Sequence, residues 1–123
     1  MNRVVLVVDD EPGMVAVLSR LLADEGWTVH AAHDGAEALL LVGRSAPRVI
    51  LADYIMPIMD GAELVTALRR DATGRAIPVV MMSGLPESMV KRKVKHYAAF
   101  VRKPFAFDEL LKTLTKVAGG AKR

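Results

Sequence analysis

The chain has no cysteine, which excludes a disulfide framework and any thiolate-bound metal and fits a reducing compartment. It has no apolar run near the roughly 20 residues that span a bilayer, and its start, MNRVVLVVDDEP, turns acidic too soon for a secretory signal. A soluble, cytoplasmic protein with no membrane partner is therefore expected. Aromatic residues are scarce, at 5%, and no DNA-binding motif accompanies the basic ones, so direct nucleic-acid binding is not expected. Linkers and low-complexity stretches are missing until the tail AGGAKR. The length of 123 residues allows one domain with one sizeable core, here residues 1–118, with 119–123 as a tail.

Charge is present, and it is unevenly placed. The net charge is +3, with lysine and arginine crowded into the last third (KRKVKH at 91–96, then Arg102, Lys103, Lys112, Lys116, Lys122 and Arg123), while acids gather at Asp9, Asp10 and Glu11. A basic run of this kind reads first as a solvated helix face. A docking surface for an acidic partner is the second reading.

Short β-rich apolar runs alternate with helical patterns, as in βαβ units. Strands are expected at Val4–Val8, Thr28–Ala32, Val49–Ala52, Pro78–Met82 and Ala98–Val101. All but the second are almost continuously apolar, as strands of a parallel sheet covered on both faces should be. Helical spacing joins Met14, Val17, Leu18, Leu21 and Leu22, then Leu64, Val65 and Leu68, then Phe107, Leu110, Leu111, Leu114 and Val117. Five strands and five helices fill the length. The tetrapeptide DGAE occurs twice, at 34–37 and 60–63. Each copy reads as an aspartate N-cap in a capping-box arrangement ahead of a helix, in preference to an internal repeat.

In a doubly wound parallel sheet the loops leaving the carboxyl ends of the strands share one crevice. Asp9 and Asp10 end the first strand, Asp53 the third and Ser83 the fourth, and Lys103 follows the fifth. Carboxylates gathered there repel one another unless a cation joins them. With no thiolate and no histidine at a strand end, a hard, oxygen-seeking divalent ion is the natural guest, and Mg²⁺ would leave room for a phosphoryl group. A carboxylate can itself accept that group as an aspartyl phosphate. Asp53, alone at the end of a central strand, is the best nucleophile; Asp9 and Asp10 are better placed to hold metal.

Four segments, VVDDEP at 7–12, LADYIMPIMDG at 51–61, VVMMSG at 79–84 and FVRKPF at 100–105, occur in order and at the intervals of a known family. Over nearly its whole length the chain resembles the receiver domain of two-component response regulators. The resemblance implies a flavodoxin-like doubly wound (βα)5 fold with a parallel sheet in the order 2-1-3-4-5. It implies Asp53 as phosphoacceptor, Asp10 as the principal Mg²⁺ ligand (Mn²⁺ as substitute), Asp9 acting largely through water, and the Ile55 main-chain carbonyl as a further ligand. Ser83 and Lys103 would bind phosphoryl oxygens, the bond to Pro104 would be cis, and Phe100 would be the switch aromatic that moves with Ser83. A plain core role is the alternative for Phe100. Pro57 and Gly61 read as backbone devices, and His30, His33 and His96 carry no assigned role. The implied phosphodonor is a sensor histidine kinase or histidine phosphotransfer protein; a downstream protein partner and a homodimer through the signalling face also follow from the resemblance.

Three features depart from the family pattern. Ile55 and Leu85 are both apolar where the family tunes attack by water on the phosphoryl group, which predicts slow self-dephosphorylation. HYAAF at 96–100 replaces the usual small pair before the aromatic, and the preceding SMVKRKVK has a thin apolar stripe, so a shifted or mobile fourth helix is expected. Ala106 leaves the last helix without a capping side chain. The expected function is a phosphoacceptor switch acting through its fourth helix, fifth strand and fifth helix, stand-alone or cut from a longer protein, with no catalysis beyond its own phosphorylation and dephosphorylation. Three other readings stand beside it. A flavin-binding protein would need a hydroxyl- and glycine-rich phosphate loop where DDEPGM stands, and a dehalogenase-type phosphatase would need a second aspartate at the place of Ile55. A degenerate receiver that binds partners without phosphorylation needs neither, although every phosphorylation residue is present.

Overall fold

The computed structural model describes residues 3–120. In chain order these form β1 (Val4–Val8), α1 (Pro12–Asp24), β2 (Thr28–Ala32), α2 (Gly35–Ser45), β3 (Val49–Asp53), α3 (Gly61–Arg70), β4 (Val79–Ser83), α4 (Glu87–Val90), β5 (Ala99–Arg102) and α5 (Phe107–Gly120). The strands make one parallel sheet in the order β2-β1-β3-β4-β5. This is the expected doubly wound fold.

The period of two along each strand divides the core between the sheet's faces. Leu6, Ile50, Ala52, Val79 and Met81 face α2, α3 and the α4 segment, packing on Ala38, Val42, Leu64, Leu68 and Val90. Val5, Val7, Val49, Leu51, Val80 and Met82 face the other way, onto Leu18 and Leu22 of α1 and Leu110 and Leu114 of α5. Every residue of β3 and β4 is buried, which explains their continuously apolar reading.

The strands run slightly further toward the crevice than the apolar runs suggested. β3 takes in Asp53, paired with Met82, and β4 runs from Val79 to Ser83 because Pro78 offers a carbonyl to Ile50 but no N–H to the ladder. β5 likewise runs from Ala99 to Arg102. Two residues placed in the tail, Gly119 and Gly120, continue α5, and residues 121–123 lie outside the described residues.

Local chemistry sets most helix ends. Pro12 opens α1 with its φ already helical. Asp60 caps α3 in a full capping box with Glu63. The first DGAE copy makes only half of one. Asp34 accepts from the Glu37 N–H, but the Glu37 carboxylate turns to His33, binding its N–H at 2.6 Å and its ring at 3.1 Å. At α5, Ala106 caps with backbone alone, its carbonyl accepting from Glu109 and Leu110.

The largest departure is α4, a single turn of four residues. Pro86 supplies no side-chain cap, and a helix through 91–95 would stack cations at i,i+3 and i,i+4. The chain instead continues in hydrogen-bonded turns, with the N–H groups of Lys93 and Val94 donating to the Val90 carbonyl. Val90 and Val94 still anchor it to the core.

The start of α3 sits hard against the end of β3. A Cβ on Gly61 would lie 2.8 Å from Met81 Sδ, 2.9 Å from Tyr54 Cα and 3.0 Å from the Asp53 carbonyl oxygen, whereas at Gly13 in α1 it would meet nothing within 4 Å. Gly61→Ala is expected to lower the free energy of unfolding by about 1–3 kcal/mol, and Gly13→Ala to leave it unchanged or raise it by up to ~1 kcal/mol. Urea denaturation of both variants checks this; equal effects would remove the close-approach explanation.

Candidate functional site

β1 delivers its acids through a continued ladder. The Asp9 N–H donates to the Ala32 carbonyl at 3.1 Å, one residue past the end of β1, which carries the Asp9 side chain fully under the surface. Asp9 Oδ1 accepts from the Glu11 N–H at 3.0 Å and so fixes the turn into α1. Asp10, at the apex, is exposed. Asp53, the last residue of β3, is 7% exposed. Behind it the Tyr54 N–H bonds the Met82 carbonyl and the Tyr54 carbonyl accepts from Gly61, both at 2.8 Å, so the loop leaving Asp53 is tied at both ends.

Lys103 closes the site from the far side. Its N–H donates to the Ser83 carbonyl at 2.8 Å, and its peptide to Pro104 is cis. Lys103 Nζ reaches Asp9 Oδ2 at 3.1 Å, Asp53 Oδ2 at 3.3 Å and Glu11 Oε1 at 3.7 Å. One ammonium therefore bridges two buried carboxylates from different strands.

That single positive charge does not balance its surroundings. Burial pushes the Asp53 carboxyl above its ordinary range; Lys103 opposes this, Asp9 and Asp10 reinforce it, and the net shift stays upward. Burial alone would depress the Lys103 ammonium, but Asp53 and Asp9 outweigh it and hold it above the usual lysine value. Both partners of the pair thus hold protons more tightly than they do in water. The pocket carries surplus negative charge and would gain from another cation. Asp9, Asp10 and Asp53 can each offer a carboxylate oxygen within 4.8 Å of the others. An all-oxygen, all-carboxylate donor set fits a hard divalent ion such as Mg²⁺.

The other residues singled out from the sequence take definite places. Ser83 is fully buried at the end of β4, where its Oγ accepts from the Leu85 N–H at 3.0 Å and keeps a proton to donate. Ile55 is 60% exposed beside the acidic cluster, and Leu85 is half-buried. Phe100 is half-buried, opposite Met81 in the ladder and packed on the α2–α4 side of the core. Pro57 is exposed in the loop from Asp53, where Ile58 takes a positive φ of 69°. The three histidines contribute nothing to the cluster.

Three interactions, only the first of them at the site, carried little signal in the sequence. Glu11 is a third carboxylate within ion-pair reach of Lys103, at 3.7 Å, and only its place in the acidic run marked it. Tyr97 donates to Glu87 at 2.7 Å, pinning the single turn of α4 to the segment just before β5, and burial, with this bond, pushes its phenol up to about 12. The Arg69 guanidinium donates to the carbonyls of Gly74, Arg75, Ile77 and His96. Trp27 packs with Leu18 and Leu22 at the opposite end of the sheet, ahead of Thr28, whose partner is the first residue of β1.

Comparison with known proteins agrees with this geometry. The family model for the response regulator receiver domain matches residues 5–115. Response regulator MprA of Mycobacterium ulcerans is 36% identical over 111 residues, which cover 87% of this chain and 46% of that protein. The chain thus spans about half the length of the curated relatives it matches. Among solved structures, the chemotaxis protein CheY4 of Vibrio cholerae superposes with a TM-score of 0.86 at 34% identity, over 95% of this chain and 99% of that one. The response regulator TrrA of Thermotoga maritima, solved with Mg²⁺ and BeF, gives a TM-score of 0.84 at 26% identity over 95% and 99% of the two chains.

The direction of the Asp53 shift sets a stability test. The folded state holds the Asp53 proton more tightly than the unfolded chain, so ionised Asp53 lowers stability; the loss is absent below the unfolded carboxyl pKa and grows as pH rises toward the folded value. Lys103 acts the opposite way, stabilising the fold until pH climbs through its raised value. Asp53→Asn is therefore expected to raise Tm at neutral pH, without divalent ions, by ~2–5 °C, and to gain nothing near pH 3, where the carboxyl is protonated in both states. A Tm below wild type at neutral pH would mean that the attraction of Lys103 outweighs the burial.

Proposed function

The chain belongs to the response regulator receiver domain family, and from that premise we propose that it is a phosphoacceptor switch whose reactive group is Asp53. The observation that carries this reading is the Lys103 ammonium, 3.3 Å from Asp53 and 3.1 Å from Asp9, in a crevice whose carboxylates still call for a further cation. The phosphodonor is a phosphohistidine on a sensor kinase or a histidine phosphotransfer protein.

In the proposed step a carboxylate oxygen of Asp53 attacks phosphorus in line with the departing imidazole. The new P–O bond forms as the P–N bond breaks, and the electron pair leaves with the ring nitrogen, which takes up a proton. Little covalent assistance is needed; positioning and charge neutralisation do most of the work. Asp9, Asp10 and Asp53, with the Ile55 main-chain carbonyl, would hold Mg²⁺ or Mn²⁺, which when bound neutralises charge on a phosphoryl oxygen. Lys103 and the Ser83 hydroxyl would each bind another phosphoryl oxygen. To do so Ser83 turns its hydroxyl toward the phosphoryl group, and Phe100 moves with it. The surface of α4, β5 and α5 changes in consequence and meets the downstream partner, a second copy of the chain included.

Incubation with a small-molecule phosphodonor, with and without Mg²⁺, is expected to add one phosphoryl mass to Asp53 only when the metal is present, and to shift the signals of Tyr54 and Tyr97. Trp27 is too remote to report. No mass gain and no Mg²⁺-dependent change would leave a receiver that binds partners without phosphorylation. The apolar pair Ile55 and Leu85 predicts a long-lived phosphoryl group: the double change Ile55→Asn, Leu85→Ser is expected to speed phosphate release by about tenfold or more. An unchanged lifetime, followed by mass spectrometry, would sink the idea.

A further inference from the structure

A second charged surface lies on the α3 side of the molecule. The C-terminal turn of α3 and the segment after α4 enclose a groove of about 250 Å³, lined by Arg69, Arg70, Lys93, Lys95 and His96, with Val65 as its apolar wall. Arg69 lies at the contact between the two segments. Its guanidinium is partly desolvated, which lowers its pKa, and it donates to four neutral carbonyls while no carboxylate among the described residues pairs with it. Around it Arg70, Arg75, Lys91, Arg92, Lys93 and Lys95 are exposed, and among the described residues none forms an ion pair.

The acids nearest in sequence are already committed. Asp71 accepts from the Thr73 and Gly74 N–H groups, Glu87 from Tyr97, and Glu63 from the Asp60 N–H. Val90 and Val94 hold the segment after α4 against the core, and its turns are hydrogen-bonded to the Val90 carbonyl, so the cations at 91–95 are displayed on an anchored backbone. A fixed display loses less entropy on binding than a mobile tail would.

We infer that this groove is a docking surface for an acidic protein segment, one of whose carboxylates enters between Arg70, Lys93 and Lys95 while others lie across Lys91 and Arg92. A neighbouring hollow on α3, lined by Ala62, Glu63, Thr66, Ala67 and Arg70, carries an acid of its own at Glu63, so the acidic segment's carboxylates keep to the Arg70 side. The dimensions favour a peptide over a nucleic acid. The groove measures only about 250 Å³, and no Phe, Tyr or Trp lines it to stack successive bases. The surface is distinct from the crevice holding Asp53 and does not rely on its phosphorylation.

The test uses fluorescence anisotropy with a labelled peptide of alternating glutamate and alanine, beside a labelled oligodeoxythymidine of equal charge, and amide shifts of the whole chain. Binding is expected to weaken with added salt, to perturb residues 65–70 and 91–96, and to fall by about tenfold or more in Lys93→Glu, Lys95→Glu. Arg70→Glu should weaken it in the same direction. The control Lys112→Glu, Lys116→Glu makes the same change in net charge on α5 and should alter affinity by less than about twofold. Equal losses in both double variants, shifts confined to other residues, or tighter binding of the oligonucleotide at this groove would each overturn the inference. Peptide binding that survives in Asp53→Asn separates this surface from the phosphoacceptor reading.

Discussion

One ammonium group organises the acidic end of this molecule. Lys103 lies 94 residues from Asp9 in sequence yet only 3.1 Å from it in space, and the same nitrogen reaches Asp53. Without that bridge two carboxylates would be buried close together with no counter-charge, at a cost that no other cation among the described residues offsets. The lysine meets both because β5 is held to β4 up to Ser83, whose carbonyl takes the Lys103 N–H. The ladder of the sheet therefore positions the charge.

The bridge is incomplete, and its incompleteness carries the chemistry. A site neutralised by Lys103 alone would leave Asp53 an ordinary ion-paired carboxylate with a depressed pKa. Here burial and the neighbouring acids win, and the carboxyl remains poised for a further cation. The surrounding architecture keeps this tension in place. Gly61 lets α3 start against the Asp53 carbonyl, and the Asp60 capping box fixes that start. Positive charge is concentrated elsewhere, on the α3–α4 side, so the surface presents an acidic crevice and a basic groove as separate features.

Much of this was legible in the residues. Continuous apolar runs marked the buried strands to within one residue, since a parallel sheet covered on both faces leaves no polar alternation to blur its bounds. The strand-end acids, Ser83 and Lys103 stood out because charge and hydroxyl interrupt those runs. Less visible were contacts in which an ordinary side chain binds backbone far away. Arg69 on four carbonyls and Tyr97 on Glu87 leave no periodic trace. The two DGAE copies also look alike, yet only the second closes a full capping box, because His33 competes for Glu37 in the first.

By itself, then, the sequence determined the alternating order of strands and helices, the two-sided core and which charged and hydroxyl residues end the strands, because these depend on local periodicity and residue type. Tertiary structure alone decided how the charges meet. It placed Lys103 between Asp9 and Asp53, raised the Asp53 carboxyl through burial, and reduced α4 to one turn, so that the cations of the segment after it stand beside Arg70. Each of these outcomes depends on distance and desolvation, quantities set only when strands remote in sequence are brought side by side.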